Sequence, residues 1–397
     1  MPSADTHASP RRLDSLDGLR GLAALGVVAL HTWMFSYGDL GRPDKGFSDL
    51  VFGELRLGVQ LFFVLSGFLV FRPFVAAALD GRPRPSLRRY ALRRAARILP
   101  AYWLAVIGTY LLLRHLDHPL LVQAADLPLF LVFAQNQFDV TLTRLDPPMW
   151  TLGIEMSFYA LLPLAGLLVG RLGAARGRHL VLCAAIVAAG LACTAMSFEG
   201  GWPATLSTSL LLYLVEFGAG MTLAAALHRR TLGRAPAGAL AVAGVLLLLA
   251  NSYWHANALG DDELRNVVGD APGVAGMALL VAALAAGPWP VRALSRGPAK
   301  WLGDVSYGMY LIHFPVIVGL RGTGHWPTTL PGELAAVVAV TLTLATLSWL
   351  VVERPVIRLA RRATTPRRRP AARPVPAGHP QHQAARVPVL RPQPAER

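Results

Sequence analysis

Cysteine is almost missing: Cys183 and Cys193 are the only two in 397 residues, both in one apolar stretch and without metal-ligand spacing. That excludes a disulfide framework and a metal site, and leaves both as expected small packing residues. Charged side chains are scarce at 15%, and lysine is nearly absent, with 2 residues against 36 arginines. No cleavable signal peptide is expected, because the first apolar run carries Arg20 at its start and no small-residue cleavage site follows it. No fixed-period repeat is visible, and no segment between apolar runs is long enough for a separate globular domain.

What the chain has instead is apolar surface. At 54% hydrophobic residues and a mean hydropathy of +0.44, it exceeds what one soluble core can hide, so the fold expected is all-α and polytopic in a lipid bilayer. At about 20 apolar residues per crossing, ten transmembrane helices fall near 18–36, 55–78, 99–115, 149–169, 179–198, 206–227, 236–253, 272–288, 302–320 and 333–353. The formal charge of +15 would suggest nucleic acid in a soluble protein, but the basic residues sit between the spans and no nucleic-acid partner is expected. With a cytoplasmic N-terminus, the inner segments hold 30 of the 38 basic residues and the outer ones 7, as the positive-inside rule requires. Both termini are then cytoplasmic, and a multi-pass plasma-membrane protein is expected. Three segments follow: an N-terminal tail over 1–12, a membrane domain over 13–357, and a Pro- and Arg-rich disordered tail over 358–397.

The run Leu16 to Trp33 is interrupted by only two strongly polar side chains, Arg20 and His31. Eleven steps of about 100° bring them back to one helix face, about 16 Å apart along the axis. A charge within a span is costly and faces the protein interior, so this face predicts a polar stripe lining a long, narrow cavity. Between the second and third spans, Pro85 and Ser86 offer a helix start, and Arg89, Arg93 and Arg97 recur every four residues with Arg94 beside them. An interfacial basic helix is expected to end near Leu99, with a new span from Pro100. Its guanidiniums suit phosphate. Glu155, about 8 Å inside the fourth span, shares the depth of His31 and is expected to orient its imidazole. Ser66 and Gly67 mark a small-residue helix contact. Tyr307, Tyr310 and His313 recur at spacing three on one face that could border the same cavity. Glu216 reads as structural, and the short apolar piece 127–134 could roof a site.

These stretches, in this order, resemble the acyltransferase 3 family of integral membrane O-acyltransferases: LDGLRGLAALGVVALH, GVQLFFVLSGFL, RRAARILPAYW, WTLGIEMSFY, SYGMYLIHFPV and the ERP at Glu353 to Pro355. The resemblance implies ten core spans and transfer of an acyl group, commonly acetyl, from cytoplasmic acyl-CoA to a hydroxyl of a sugar, glycan or glycosylated small molecule, with no bound cofactor. It points to Arg20, His31, Arg94 and Arg97 as functional. His31 and Glu155 are then the candidate catalytic residues, with Arg20, Arg94, Arg97, Ser66, Tyr310 and His313 as candidate substrate contacts. The alternative is a secondary transporter using the intramembrane polar residues as a substrate path.

Overall fold

A computed structural model describes residues 10–36, 47–257, 269–288 and 292–365, and every regular element among them is helical. These helices lie in one compact unit, residues 1–364, while a second unit, 365–397, is described only at Thr365. A helix occupies each expected span: α1 Pro10–Ser36, α2 Leu57–Leu79, α3 Leu87–His115, α4 Trp150–Leu172, α5 Arg176–Gly200, α6 Leu214–Ala226, α7 Arg234–Asn257, α8 Ala271–Ala286, α9 Gly297–Gly322 and α10 Leu330–Ser348. Eight stretches are long and apolar enough to cross a bilayer. α8 is shorter, with 16 residues, and α9, which carries Lys300, Asp304, His313 and Arg321, is not among the eight.

The outward faces are apolar. Val181, Leu249 and Val351 are 70%, 60% and 71% exposed, and side chains of this kind spread over α5, α7 and the end of α10 call for hydrocarbon rather than water around them. The protein is an all-α, multi-pass membrane protein.

α1 is the centre of the bundle, packed on α9 along much of its length and on α2, α8 and α10 besides. Two glycines bring α1 and α9 together: a Cβ on Gly21 would lie 2.6 Å from the Gly303 nitrogen, and one on Gly303 would lie 2.3 Å from the Asp17 carbonyl oxygen. Bare backbone on both sides permits that approach. Gly67 does the same for α2 against α6, where a Cβ would meet the Phe217 carbonyl oxygen at 2.3 Å. The small-residue contact expected there is present.

Two expectations are corrected. Ser86 does cap α3, its side chain accepting from the Arg89 N–H at 3.5 Å, but the helix runs unbroken through Pro100 to His115 rather than ending near Leu99. Within a bundle, neighbouring helices can compensate what a proline removes, and α9 packs on this stretch, the Tyr307 hydroxyl donating to the Ile98 carbonyl at 3.1 Å as a tie between the two helices rather than a replacement for the missing Pro100 N–H. At the other end, a π-helical turn, Trp349–Glu353, leads into α11, Arg354–Thr364. Residues 358–364 are therefore helical, not part of a disordered tail; α11 packs on α3, and Arg93 Nε donates to the Thr364 hydroxyl at 3.0 Å. The rest of that tail, residues 1–9 and the acidic stretch Asp261 to Glu263 lie outside the described residues.

Polar ties fasten the ends of the bundle. Asp270 accepts from Arg56 and, at 2.6 Å, from Gln60 Nε2. Burial pushes the Asp270 carboxyl up, but these bonds and the Arg56 charge outweigh it and hold it below the usual range. After α2, Asp80 accepts from Arg82 and, at 2.8 Å, from His228 Nε2, with Arg229 Nε 3.0 Å away. Its carboxyl is also held low, burial being outweighed by those partners. Cys183 is buried, Cys193 partly so, and both are unpaired.

Candidate active site

Arg20 and His31 leave α1 on the face that the helical period dictates, and two clusters form around them. At His31 the partner is a second imidazole. The rings of His31 and His313 stand 4.9 Å apart, with His313 Nε2 3.1 Å from His31 Nδ1. His313 is fully buried and its Nδ1 lies 2.7 Å from the Tyr310 carbonyl, while His31 Nδ1 lies 3.0 Å from the Val27 carbonyl. A carbonyl only accepts, so the neutral tautomers follow by elimination. His313 carries its proton on Nδ1 and presents Nε2 as an acceptor; His31 carries its own on Nδ1. The lone pair of His31 Nε2 has no partner among the described residues, on a side chain that is only partly buried.

Arg20, Arg94 and Arg97 form the second cluster. Arg97 stands within electrostatic reach of both other guanidiniums and of Asp17 and Glu353. Their faces lie over aromatic rings: Arg20 over Phe62 at 6.0 Å, Arg94 over Tyr159 at 5.2 Å and Arg97 over Trp349 at 5.6 Å. Among the described residues no carboxylate oxygen comes within 4.0 Å of any of the three. Three guanidiniums with their forks unengaged make a site shaped for an anion with several oxygens.

Glu155 belongs with this cluster. It accepts from Ser66 Oγ at 2.7 Å and from the Tyr159 hydroxyl, whose ring carries Arg94. Glu155 also lines a cleft of about 40 Å³ together with Arg20, Phe62, Ser306, Tyr307 and Tyr310, room for a water or two. The long cavity expected from the polar stripe is thus narrowed to this cleft, with Phe62 and Tyr310 in edge-to-face contact across it.

The structure brings Arg20, Arg94, Arg97, Glu155 and Ser66 into one neighbourhood and His31 with His313 into another. Tyr310 stands between, its ring 5.7 Å from that of His313. The expected pairing of Glu155 with His31 is not found, because equal depth does not fix the direction in which two helices face. Glu353, buried on the π-helical turn with Ser348 Oγ 3.4 Å from its Oε1, was missed as a neighbour of Arg97; the ERP motif was the available signal. Glu216 is buried with Oε2 unpartnered, and its structural reading gains no support from a partner.

The described residues thus form an all-helical membrane bundle with a histidine pair between α1 and α9 and an unengaged arginine cluster between α1 and α3. The acyltransferase domain of the acyltransferase 3 family matches residues 13–351, and the chain belongs to that family of acyltransferases. It is similar to Acyltransferase MdmB of Streptomyces mycarofaciens, 30% identical over 91% of this chain and 94% of that protein. It is 26% identical to Nodulation protein 10 of Rhizobium leguminosarum bv. viciae over 90% of this chain and 97% of that one. Peptidoglycan O-acetyltransferase OatA of Listeria monocytogenes is 24% identical over 88% of this chain, which spans only 57% of its length. No solved structure matches.

Proposed function

We propose that the protein moves an acyl group, commonly acetyl, from cytoplasmic acyl-CoA to a hydroxyl of a sugar, glycan or glycosylated small molecule. The observation that carries this reading is an unengaged arginine cluster, Arg20 on α1 with Arg94 and Arg97 on α3, together with His31, whose Nε2 has no partner among the described residues and which lies about 16 Å from Arg20 along α1. Arg20, Arg94 and Arg97 hold the donor's phosphates, and the thioester arm extends along α1 as Phe62 and Tyr310 part. His31 Nε2 takes the acceptor's O–H proton while that oxygen attacks the thioester carbonyl. His313 accepts from His31 Nδ1 and supports the imidazolium as it forms. Collapse of the tetrahedral intermediate breaks the C–S bond, the sulfur takes the proton back from His31, and an ester and CoA thiol leave.

Ten spans with both termini cytoplasmic, in the plasma membrane, fit this reading: the split of 30 inner to 7 outer basic residues supports a cytoplasmic position for the arginine cluster, the side where acyl-CoA is made. The same grounds leave the transporter alternative without support. Incubating membranes with radiolabelled acetyl-CoA and identifying the product is the test. Label appearing as an alkali-labile ester on a carbohydrate-containing product is expected; substrate flux without thiol release would overturn the reading.

A further inference from the structure

Between α3 and α4, residues 116–149 fold back over the bundle and carry three non-glycine residues in left-handed backbone, Asp117 (φ 47), Phe133 (φ 62) and Leu145 (φ 61). Such conformations persist only where surroundings impose them. Here the Tyr102 hydroxyl donates to the Phe130 carbonyl at 2.7 Å, Trp103 Nε1 to Leu131 at 2.9 Å, and the Leu145 N–H to Leu120 at 2.9 Å. This cap buries Gln135, Asn136 and Asp146, each no more than 2% exposed. Its donors are spent: Gln135 Nε2 on the Met149 carbonyl at 3.1 Å, Asn136 Nδ2 on Trp150 at 2.7 Å and Thr208 at 3.1 Å. Its acceptors are not, for Gln135 Oε1, Asn136 Oδ1 and both carboxyl oxygens of Asp146 have no partner among the described residues.

The sequence explains why Asp146 is left over. It stands at the N-cap of the turn Pro147–Met149, where an aspartate ordinarily accepts from the next backbone N–H groups. Pro147 and Pro148 have none, and the Met149 N–H is already bonded to the Asp146 carbonyl at 2.9 Å. The carboxyl turns inward, within electrostatic reach of Tyr102 and Tyr310. Tyr310 in turn donates to the Pro148 carbonyl at 2.6 Å and borders His313. One tyrosine thus separates the unfilled acceptors from the histidine pair.

We propose that Asp146, with the side-chain oxygens of Gln135 and Asn136, forms the acceptor subsite under this cap, binding hydroxyls of a sugar and presenting one of them to His31. The inference rests on the acyl-transfer reading above. A set of acceptors whose own donors are satisfied calls for a ligand that brings several donors, as a sugar ring does. Burial pushes the Asp146 carboxyl above its usual range, which favours hydroxyl partners over a bare cation.

The test uses the full chain in lipid nanodiscs with acetyl-CoA, the methyl glycosides of glucose, galactose and N-acetylglucosamine as probes, and thiol release as readout. Asp146→Asn and Asp146→Val are expected to raise the KM for the glycoside at least tenfold, leave the KM for acetyl-CoA within twofold, and keep or raise the thermal midpoint, since an unpartnered buried carboxyl stabilises nothing. Unchanged glycoside KM, an equal rise for acetyl-CoA, or a lowered midpoint accounting for the loss would each overturn the subsite. Wild-type protein releasing thiol with none of the glycosides would overturn the sugar subsite, whereas the acyl-transfer reading falls only if membranes move no label from acetyl-CoA, which separates the two failures.

Discussion

Replacing His313 by leucine should slow the chemical step without touching donor binding. The side chain is wholly buried and Leu is close in volume, so the bundle should hold. What is lost is the acceptor 3.1 Å from His31 Nδ1. In the ground state that bond joins two neutral rings, and the Val27 carbonyl at 3.0 Å shares the proton. In the transition state His31 is becoming an imidazolium, and a hydrogen bond from a charged group contributes about 1.5–3 kcal/mol. At about 1.4 kcal/mol per decade, kcat should fall about 10- to 150-fold. The KM for acyl-CoA should stay, because Arg20, which groups with Arg94 and Arg97, lies about 16 Å away along α1. His313→Gln keeps an acceptor at that end and should recover most of the rate. Single-turnover transfer from radiolabelled acetyl-CoA, with thermal midpoints for both variants, is the assay. A stable His313→Leu protein with kcat within about threefold of wild type would refute the role of His313 as the group positioning His31.

Further outcomes follow from the same geometry. His31→Gln should lose about 10²- to 10⁴-fold in rate yet bind acyl-CoA normally, as checked by equilibrium binding of a labelled donor. Alanine at Arg94 or Arg97 should raise the KM for acyl-CoA about tenfold or more, and lysine should rescue it only partly because it lacks the planar fork. In a background free of Cys183 and Cys193, Arg178→Cys and Asp261→Cys should label with impermeant reagent from opposite sides of the membrane; labelling from one side would refute ten spans. Because the Asp80 carboxyl is held below its usual 3.8, the stability it contributes is present above that pH and lost as pH falls through the lower folded-state value. The wild-type advantage over Asp80→Asn, read as a thermal midpoint in detergent, should therefore start to shrink below about pH 4 and vanish only once the pH is below the folded-state value.

Much of the helical layout is legible in the sequence, because a bilayer demands long apolar runs and a helix has one period. Arg20 and His31 share a face for that reason alone. The partners of His31 and Glu155 are not legible: depth follows from counting residues, but the side toward which a helix turns is set by packing. Glycine contacts such as Gly21 against Gly303 bring His313 to His31 from 282 residues away. Pro100 misleads for a related reason, since the local rule that ends helices is overruled inside a bundle. Asp146 was readable in principle, because two prolines after an aspartate remove the N–H groups it would cap.

That the two imidazoles come from the first and ninth helices has a consequence for biogenesis. At about 5–20 residues per second, the 282 residues between them take about 14 to 56 s to synthesise. During that interval α1 lies in the membrane with α9, its most extensive neighbour, still unmade, and with α2 as the first helix able to pack on it. A ribosome stalled before residue 313 leaves an inserted chain with no histidine pair, so unfinished protein lacks the group that positions His31.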